Sequence, residues 1–338
     1  MHFAFDDDQI AVRDAVAGLL EKRAGPAFLQ QAWSEPAGPA VWALWDELAG
    51  MGVQGLVAPE SAGGSAMDSV TLALVLAEAG RVALPLPLLE TAAVGVPLLA
   101  AAGDPAGILA ALVDGSAVLT AAGGPAGWAP VPGASRADWF LLDGTLYARD
   151  EVEIEPVASV DRTRDAAMVT PRARGIPIGD ESDATNATNA TDAGALASAA
   201  VLVGLGRALV QMTVDYVKDR KQFGVPVGSF QAVKHHLADA TMHVEFAAPA
   251  VWAAAWETDR AGELDDGHVR RSVSLAKALA SDGAERAARA ALQCHGAMGY
   301  TDDYPLHMWL KRVWCLAPSY GSARWHRLRV GRELGLHR

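Results

Sequence analysis

Cysteine is nearly missing from this chain: Cys294 and Cys315 are the two among 338 residues. Such sparse usage excludes a disulfide framework and a cysteine-rich metal cluster, and it suits a reducing compartment. No basic run occurs, and the formal net charge is -12. That balance argues against nucleic acid or an anionic membrane as a partner. It leaves room for a small anion, because a few local arginines and backbone amides suffice to hold a pyrophosphate. Long unbroken apolar runs are also lacking. The most apolar stretch, 92–113, is interrupted by Pro97, Asp104 and Pro105, whereas a bilayer crossing needs about 20 apolar residues. The first residues are acidic, with Asp6, Asp7 and Asp8 and no apolar export segment, so a cytoplasmic location is expected.

What is present is apolar and evenly spread. Hydrophobic residues make up 51% and charged residues 20%, the balance of a folded soluble chain long enough for two or three parts. Residues 1–115 read as an N-terminal helical domain. Asp6 or Asp7 caps a first helix with Ile10, Val12, Val16, Leu19 and Leu20 on one broad face. A second helix near 41–51 carries Trp42, Leu44, Trp45 and Leu48 and ends at Gly50 or Gly52, and an apolar helix over 69–79 stops at Gly80. The period then changes, giving a reduced middle β-domain over 116–182. There, Asp143-Gly144 joins two short apolar runs as a two-residue hairpin, and further strands centre on Ile154 and Val169. A polar linker with a Thr-Asn-Ala repeat fills 183–192. From 193 to 338 the pattern is that of a four-helix-type bundle. Leu202, Leu205, Leu209, Met212 and Tyr216 step by three and four, and Val273, Ala276, Ala280, Gly283, Ala287 and Ala290 give another helix a face of small residues. The last helices are expected over 303–316 and 323–334. The fold class is mainly α with a small β-domain.

Two separated motifs carry the functional reading. One is Arg220-Lys-Gln-Phe-Gly-Val-Pro-Val-Gly-Ser-Phe-Gln231, and the other is Gln293-Cys-His-Gly-Ala-Met-Gly299. Arg220 offers forked donors suited to phosphate oxygens, Phe223 offers a ring face, and Gly224 permits a sharp turn. Gly296 and Gly299 let a backbone approach a ligand closely. The bland alternative makes Arg220 a helix-end cation and the glycines simple helix stops. Both motifs in this order outweigh it, because they resemble the two flavin-nucleotide contacts of acyl-CoA dehydrogenases, Arg-x-x-Phe-Gly with Phe-Gln and Gln-x-x-Gly-Gly-x-Gly. The opening Phe5-x-x-x-Gln9 and the segment from Trp45 to Glu60 with Gly63-Gly64 resemble that family too.

The resemblance implies a helical domain, a β-domain and a bundle, with FAD held by Arg220, Gln222, Phe223, Phe230, Gln231, Gln293, Gly296 and Gly299. It also exposes departures. The family's flavin ring rests on a Thr-Glu-Pro-x-x-Gly-Ser-Asp-like segment and a Trp-Ile-Thr-like strand, where this chain has Leu119-Thr-Ala-Ala-Gly-Gly-Pro-Ala-Gly-Trp128. The family's catalytic glutamate is replaced in Ser319-Tyr320-Gly321-Ser322 by Tyr320, and the minority position corresponds to Gly194 or its alanine neighbours. No catalytic residue is therefore assigned. Homomeric relatives share each FAD between subunits, and this sequence keeps the set that reaches into a neighbour's site. The implied protein is the small, base-less subunit of a heterotetrameric acyl-CoA dehydrogenase, two copies of each chain, resembling actinobacterial steroid-degrading ones. Its implied partners are a longer paralogue, an acyl-CoA substrate of steroid origin and an electron-transferring flavoprotein. Two alternatives stand beside it: a homomeric flavoenzyme using Asp302 or Asp303 as base, and a non-catalytic scaffold or CoA-ester-binding subunit. His235-His236 point apart on a helix and make no metal site. Asp302 and Asp303 also fit a plain helix cap, and Trp309, Trp314 and Trp325 are expected to plug a lost substrate pocket.

Overall fold

Asp6 opens the first helix with a reciprocal cap, accepting from the Gln9 amide at 2.8 Å while Gln9 Oε1 accepts from the Asp6 amide at 3.0 Å. This computed structural model describes residues 4–123, 130–178 and 185–336. The N-terminal helices are α1 (Asp7–Arg23), α2 (Pro26–Ser34), α3 (Pro39–Gly50) and α4 (Ser69–Arg81). Gln9 also reaches across to Asp68 at 2.8 Å, and Asp68 in turn caps α4 through the Thr71 amide. One glutamine thus ties two helix starts together.

Gly80 does not stop α4, which runs on to Arg81. Its missing side chain serves packing instead: a Cβ at Gly80 would collide with the Val201 carbonyl, and one at Gly204 with the Ala77 carbonyl. Two glycines therefore let α4 and the first bundle helix touch backbone to backbone. After α4 comes a buried π-helical stretch, Leu89–Gly95, continued by α5 (Val96–Ala101) and followed by α6 (Leu109–Val113).

The middle domain contains a four-stranded sheet in the order β1 (Leu119–Ala122), β2 (Trp139–Leu142), β3 (Thr145–Ala148), β6 (Ile176–Pro177). A separate ribbon pairs β4 (Val152–Pro156) with β5 (Ala167–Pro171). The β2–β3 turn is as expected, with Asp143 and Gly144 both left-handed at φ 47 and 79.

The linker expected over 183–192 is corrected from residue 185 onward, since α7 spans Thr185–Asp219; residues 183–184 lie outside the described residues. Tertiary contacts override the weak helix propensity of Thr and Asn. Ala190 is buried, and Asp192 pairs with Arg329 of the last helix. The most apolar window of α7 is long enough to cross a membrane, yet 83% of it is buried inside the protein, which is the pattern of a core helix. The bundle continues with α8 (Gln231–Thr258), α9 (Asp266–His295), α10 (Leu306–Leu316) and α11 (Ala323–Glu333). Helices α8 and α9 approach closely because Gly283 packs on the His243 carbonyl. α10 begins three residues later than expected and is preceded by Pro305, not by an aspartate cap.

Candidate functional site

The α7–α8–α9 hairpins bring the end of α7, the start of α8 and the end of α9 to one end of the bundle. Tyr216 near the end of α7 stacks on His295 at the end of α9, ring centres 4.2 Å apart. Tyr304 closes over both rings at 5.7 and 5.1 Å. Through this contact the Arg220 and Gln293 motifs share one surface.

Between α7 and α8 lies a tight two-stranded ribbon, β7 (Lys221–Gln222) and β8 (Val225–Pro226). Its two turn residues, Phe223 and Gly224, are left-handed at φ 53 and 82. Glycine tolerates that geometry, whereas an aromatic residue there is strained. Phe223 is 92% exposed and meets Phe230 edge-on, ring centres 6.2 Å apart. Arg220, Gln231 and Gln293 are exposed on the same end, and their side chains have no hydrogen-bond or ion-pair partner among the described residues. Gln222 is exposed and donates to the Lys221 carbonyl at 2.9 Å. Gly296 is left-handed at φ 60 with open space where a Cβ would stand. Gly299 differs, being buried and packed on Leu292. It shapes the end of α9. The arrangement presents uncommitted donors beside two bare aromatic faces, a set that fits an elongated ligand carrying oxyanions and flat rings.

A second locus centres on Tyr320. Its backbone is left-handed at φ 56, and its ring is 4% exposed. The ring lies directly against Gly194 of α7, where a Cβ would overlap it, and touches Gly123 at the end of β1. The hydroxyl donates to the Ala121 carbonyl at a long 3.3 Å. Burial pushes its pKa well above the usual phenol range, with buried Glu90 adding to the effect. The ring therefore stays neutral and acts as filling. Of the three tryptophans expected to plug a lost pocket, Trp309 is buried and donates to the Arg81 carbonyl at 2.9 Å, Trp314 is 44% exposed, and Trp325 stands edge-on to His326 beside Gly321.

The Tyr320 loop is held by groups that sequence reasoning missed. Lys277 is fully buried on the small-residue face of α9 and donates to the Leu316 and Ala317 carbonyls at 2.8 and 3.2 Å. Burial lowers its pKa to about 7. His326 Nε2 sits 3.0 Å from the Tyr320 carbonyl, which accepts only, so that nitrogen carries the proton and Nδ1 accepts from Ser274. Burial, then the Lys277 charge, lowers the His326 pKa to about 3. A charged residue interrupting an apolar stripe, as Lys277 does, was the available signal.

Ion pairs complete the surroundings. Arg164 holds Glu90 at 3.0 Å, although burial still raises that carboxyl above its ordinary range. Burial also pushes Asp161 up, but the Arg312 guanidinium beside it outweighs this and holds it low. Arg312 further donates to the Leu84 carbonyl and to Thr163 at 2.7 Å, pinning the N-terminal and middle domains to the bundle. Asp302, the alternative base, is 83% exposed and lies near His307 and Lys311 at 3.7 and 3.8 Å. Among the described residues no group of three potential ligands could hold a metal.

Both helical parts of the chain match known proteins. Residues 6–107 match the family model described as acyl-CoA dehydrogenase, N-terminal domain, and residues 184–335 match acyl-CoA dehydrogenase, C-terminal domain. The acyl-CoA dehydrogenase IpdE2 of Mycobacterium tuberculosis is 32% identical over 322 residues, covering 94% of this chain and 92% of that protein. Among solved structures, a steroid ACAD, Tcur3481-Tcur3483, superposes with a TM-score of 0.85 at 25% identity over 98% of both chains. The ChsE4-ChsE5 complex of Mycobacterium tuberculosis superposes at 0.86 and 24% identity over the whole of both chains.

Proposed function

The chain belongs to the acyl-CoA dehydrogenase family, and from that premise we propose that it is the base-less subunit of a heteromeric member of it. FAD is the family's cofactor and supplies the acceptor for the hydride that leaves the β-carbon of a CoA thioester. In this reading Arg220, Gln231 and Gln293 donate to its phosphate and ribityl oxygens, and Phe223 and Phe230 pack against its rings. The partner subunit contributes the carboxylate that takes the α-proton and the cradle for the reactive ring.

The observation that carries the proposal is the Tyr320 ring packed on Gly194. The two positions where relatives keep a catalytic glutamate meet in space here. They hold a neutral ring and a hydrogen atom, so these two positions offer neither a proton acceptor nor room for one. Its uncommitted donors instead lie exposed on the bundle surface, which suits a cofactor shared with a neighbour. Exposed Asp302 is poorly placed to serve as a base, because a solvated carboxylate has no access to a desolvated thioester. The steroid origin of the acyl group and a cytoplasmic location are further parts of the proposal, supported by the steroid ACAD among the similar structures and by the acidic, cysteine-poor composition. An electron-transferring flavoprotein is the acceptor the reading expects.

The test is purification of this chain alone and together with a longer paralogue. The expected result is flavin absorbance and acyl-CoA-dependent bleaching in the complex, with little flavin in the chain alone. Arg220→Ala in the complex should strip flavin by at least about tenfold, the loss expected for one bidentate phosphate contact. Unchanged flavin content and turnover would favour a scaffold and overturn the proposal.

A further inference from the structure

His295 sits inside the Gln293 motif, yet the reading above gives its side chain no task. Its residue is 3% exposed. Nδ1 lies 2.8 Å from the Ala291 carbonyl, which accepts only, so that nitrogen carries the proton and ties the ring to the last turn of α9. Nε2 is then an acceptor, and it is buried without a hydrogen-bond partner among the described residues. Burial lowers the pKa of the imidazole below that of an ordinary histidine, which keeps it neutral. The atom that could serve a ligand or move a proton is thus sealed off. What the fold uses is the ring face.

That face connects the two motifs. Tyr216 lies nearly parallel to it, with 20° between the planes, and the Tyr216 hydroxyl reaches the His295 carbonyl at a long 3.4 Å. The Tyr216 carbonyl accepts from the Arg220 amide at 2.9 Å, and the Arg220 carbonyl accepts from the Val227 amide at 2.8 Å. The β7–β8 ribbon, with Phe223 at its turn, is therefore closed onto the turn of α7 that carries Tyr216. On its far side Gly228 packs on the Val217 carbonyl. In α9, Gln293 stands two residues before His295, and its carbonyl accepts from the Gly296 amide that ends the helix. Tyr304 leans on both rings at 63° and 45°. Each such aromatic contact adds a factor of about two to ten beyond simple burial.

We infer that His295 is a positioning residue of the flavin grip: its ring, stacked on Tyr216 and covered by Tyr304, sets the spacing between Arg220 and Gln293. The inference rests on the reading that these two motifs hold FAD in the complex. It requires a flat ring at position 295 and makes no demand on a proton there.

Flavin release from the purified complex with the longer paralogue tests it, followed by flavin fluorescence after dilution alongside the unfolding midpoint. His295→Ala loses both ring contacts and should speed release about tenfold. His295→Phe keeps the ring without Nε2 and should hold release within about threefold of the unsubstituted complex. His295→Gln keeps a donor without a ring and should behave as His295→Ala. Tyr216→Leu removes the stack from the α7 side and should give the same loss, should the His295 variants fold poorly. Unchanged release in His295→Ala while Arg220→Ala strips the flavin would overturn the inference and leave the subunit reading standing. Equal loss in His295→Phe and His295→Ala would also overturn it, because the ring would not be what matters. Flavin unmoved by either Arg220→Ala or His295→Ala would overturn both the inference and the reading beneath it.

Discussion

Tyr320 and Gly194 form a pair whose coupling is measurable by a double-mutant cycle. Adding a methyl group at Gly194 drives it into the Tyr320 ring, and overpacking of a filled core costs about 1–3 kcal/mol. Removing the ring by Tyr320→Gly loses a fully buried aromatic, a change of about 3–5 kcal/mol. The lost hydroxyl contact adds little, because 3.3 Å is long for such a bond. Glycine also relieves the left-handed backbone at φ 56, which offsets about 1 kcal/mol. In the Tyr320→Gly background the methyl group enters empty space, and alanine gains about 1 kcal/mol of helix propensity over glycine. Gly194→Ala should thus switch from destabilising to neutral or stabilising, a coupling of about 2–4 kcal/mol. Urea or thermal unfolding of the four proteins reads it directly. Strict additivity would refute the packing described here. Tyr320→Phe should cost at most about 1 kcal/mol and leave turnover of the holo-complex and its pH profile unchanged. A large loss of turnover would mean that the phenol takes part in the chemistry.

Other perturbations probe the rest of the frame. Lys277 has a pKa of about 7 when folded against about 10.4 unfolded, so between those values the unfolded chain binds more protons. Stability from this group therefore rises with pH from about 7 to about 10 and is lowest below 7, and Lys277→Met should flatten that slope in melting curves recorded across the window. Arg312→Ala leaves Asp161 buried without its cation, and the expected loss is about 3–5 kcal/mol, seen as a marked fall in the unfolding midpoint. Gly204→Ala pushes a methyl group into the Ala77 carbonyl and should cost more than about 1–3 kcal/mol, because backbone cannot rotate away as a side chain does. Phe223→Ala should leave stability within about 0.5 kcal/mol, since that ring is 92% exposed, while flavin retention by the complex falls.

Much of the architecture could be read from local pattern. The stripe Leu202, Leu205, Leu209 is buried as its spacing demanded, and Asp143-Gly144 forms the turn that its residue types favour. Both features depend on neighbours a few residues away, which is why sequence shows them. Gly80 read as a helix stop because most glycines near an apolar helix end are stops. Its actual role depends on Val201, which is far away in the chain. The Thr-Asn-Ala stretch read as linker for the same reason. Its helix is held by contacts such as Asp192 with Arg329, and no local propensity reports those.

The sequence by itself determined which chemistry this chain owns: Arg220, Gln231 and Gln293 as donors, and no carboxylate at either Tyr320 or Gly194. Residue identity is a property of the chain, so such inclusions and absences need no coordinates. Only the tertiary structure decided that the Tyr320 ring and Gly194 share one space, that Tyr216 on His295 joins the two donor motifs, and that Gly299 turns inward. Those outcomes depend on how helices settle against each other, where a single missing Cβ fixes an approach distance that periodicity does not encode.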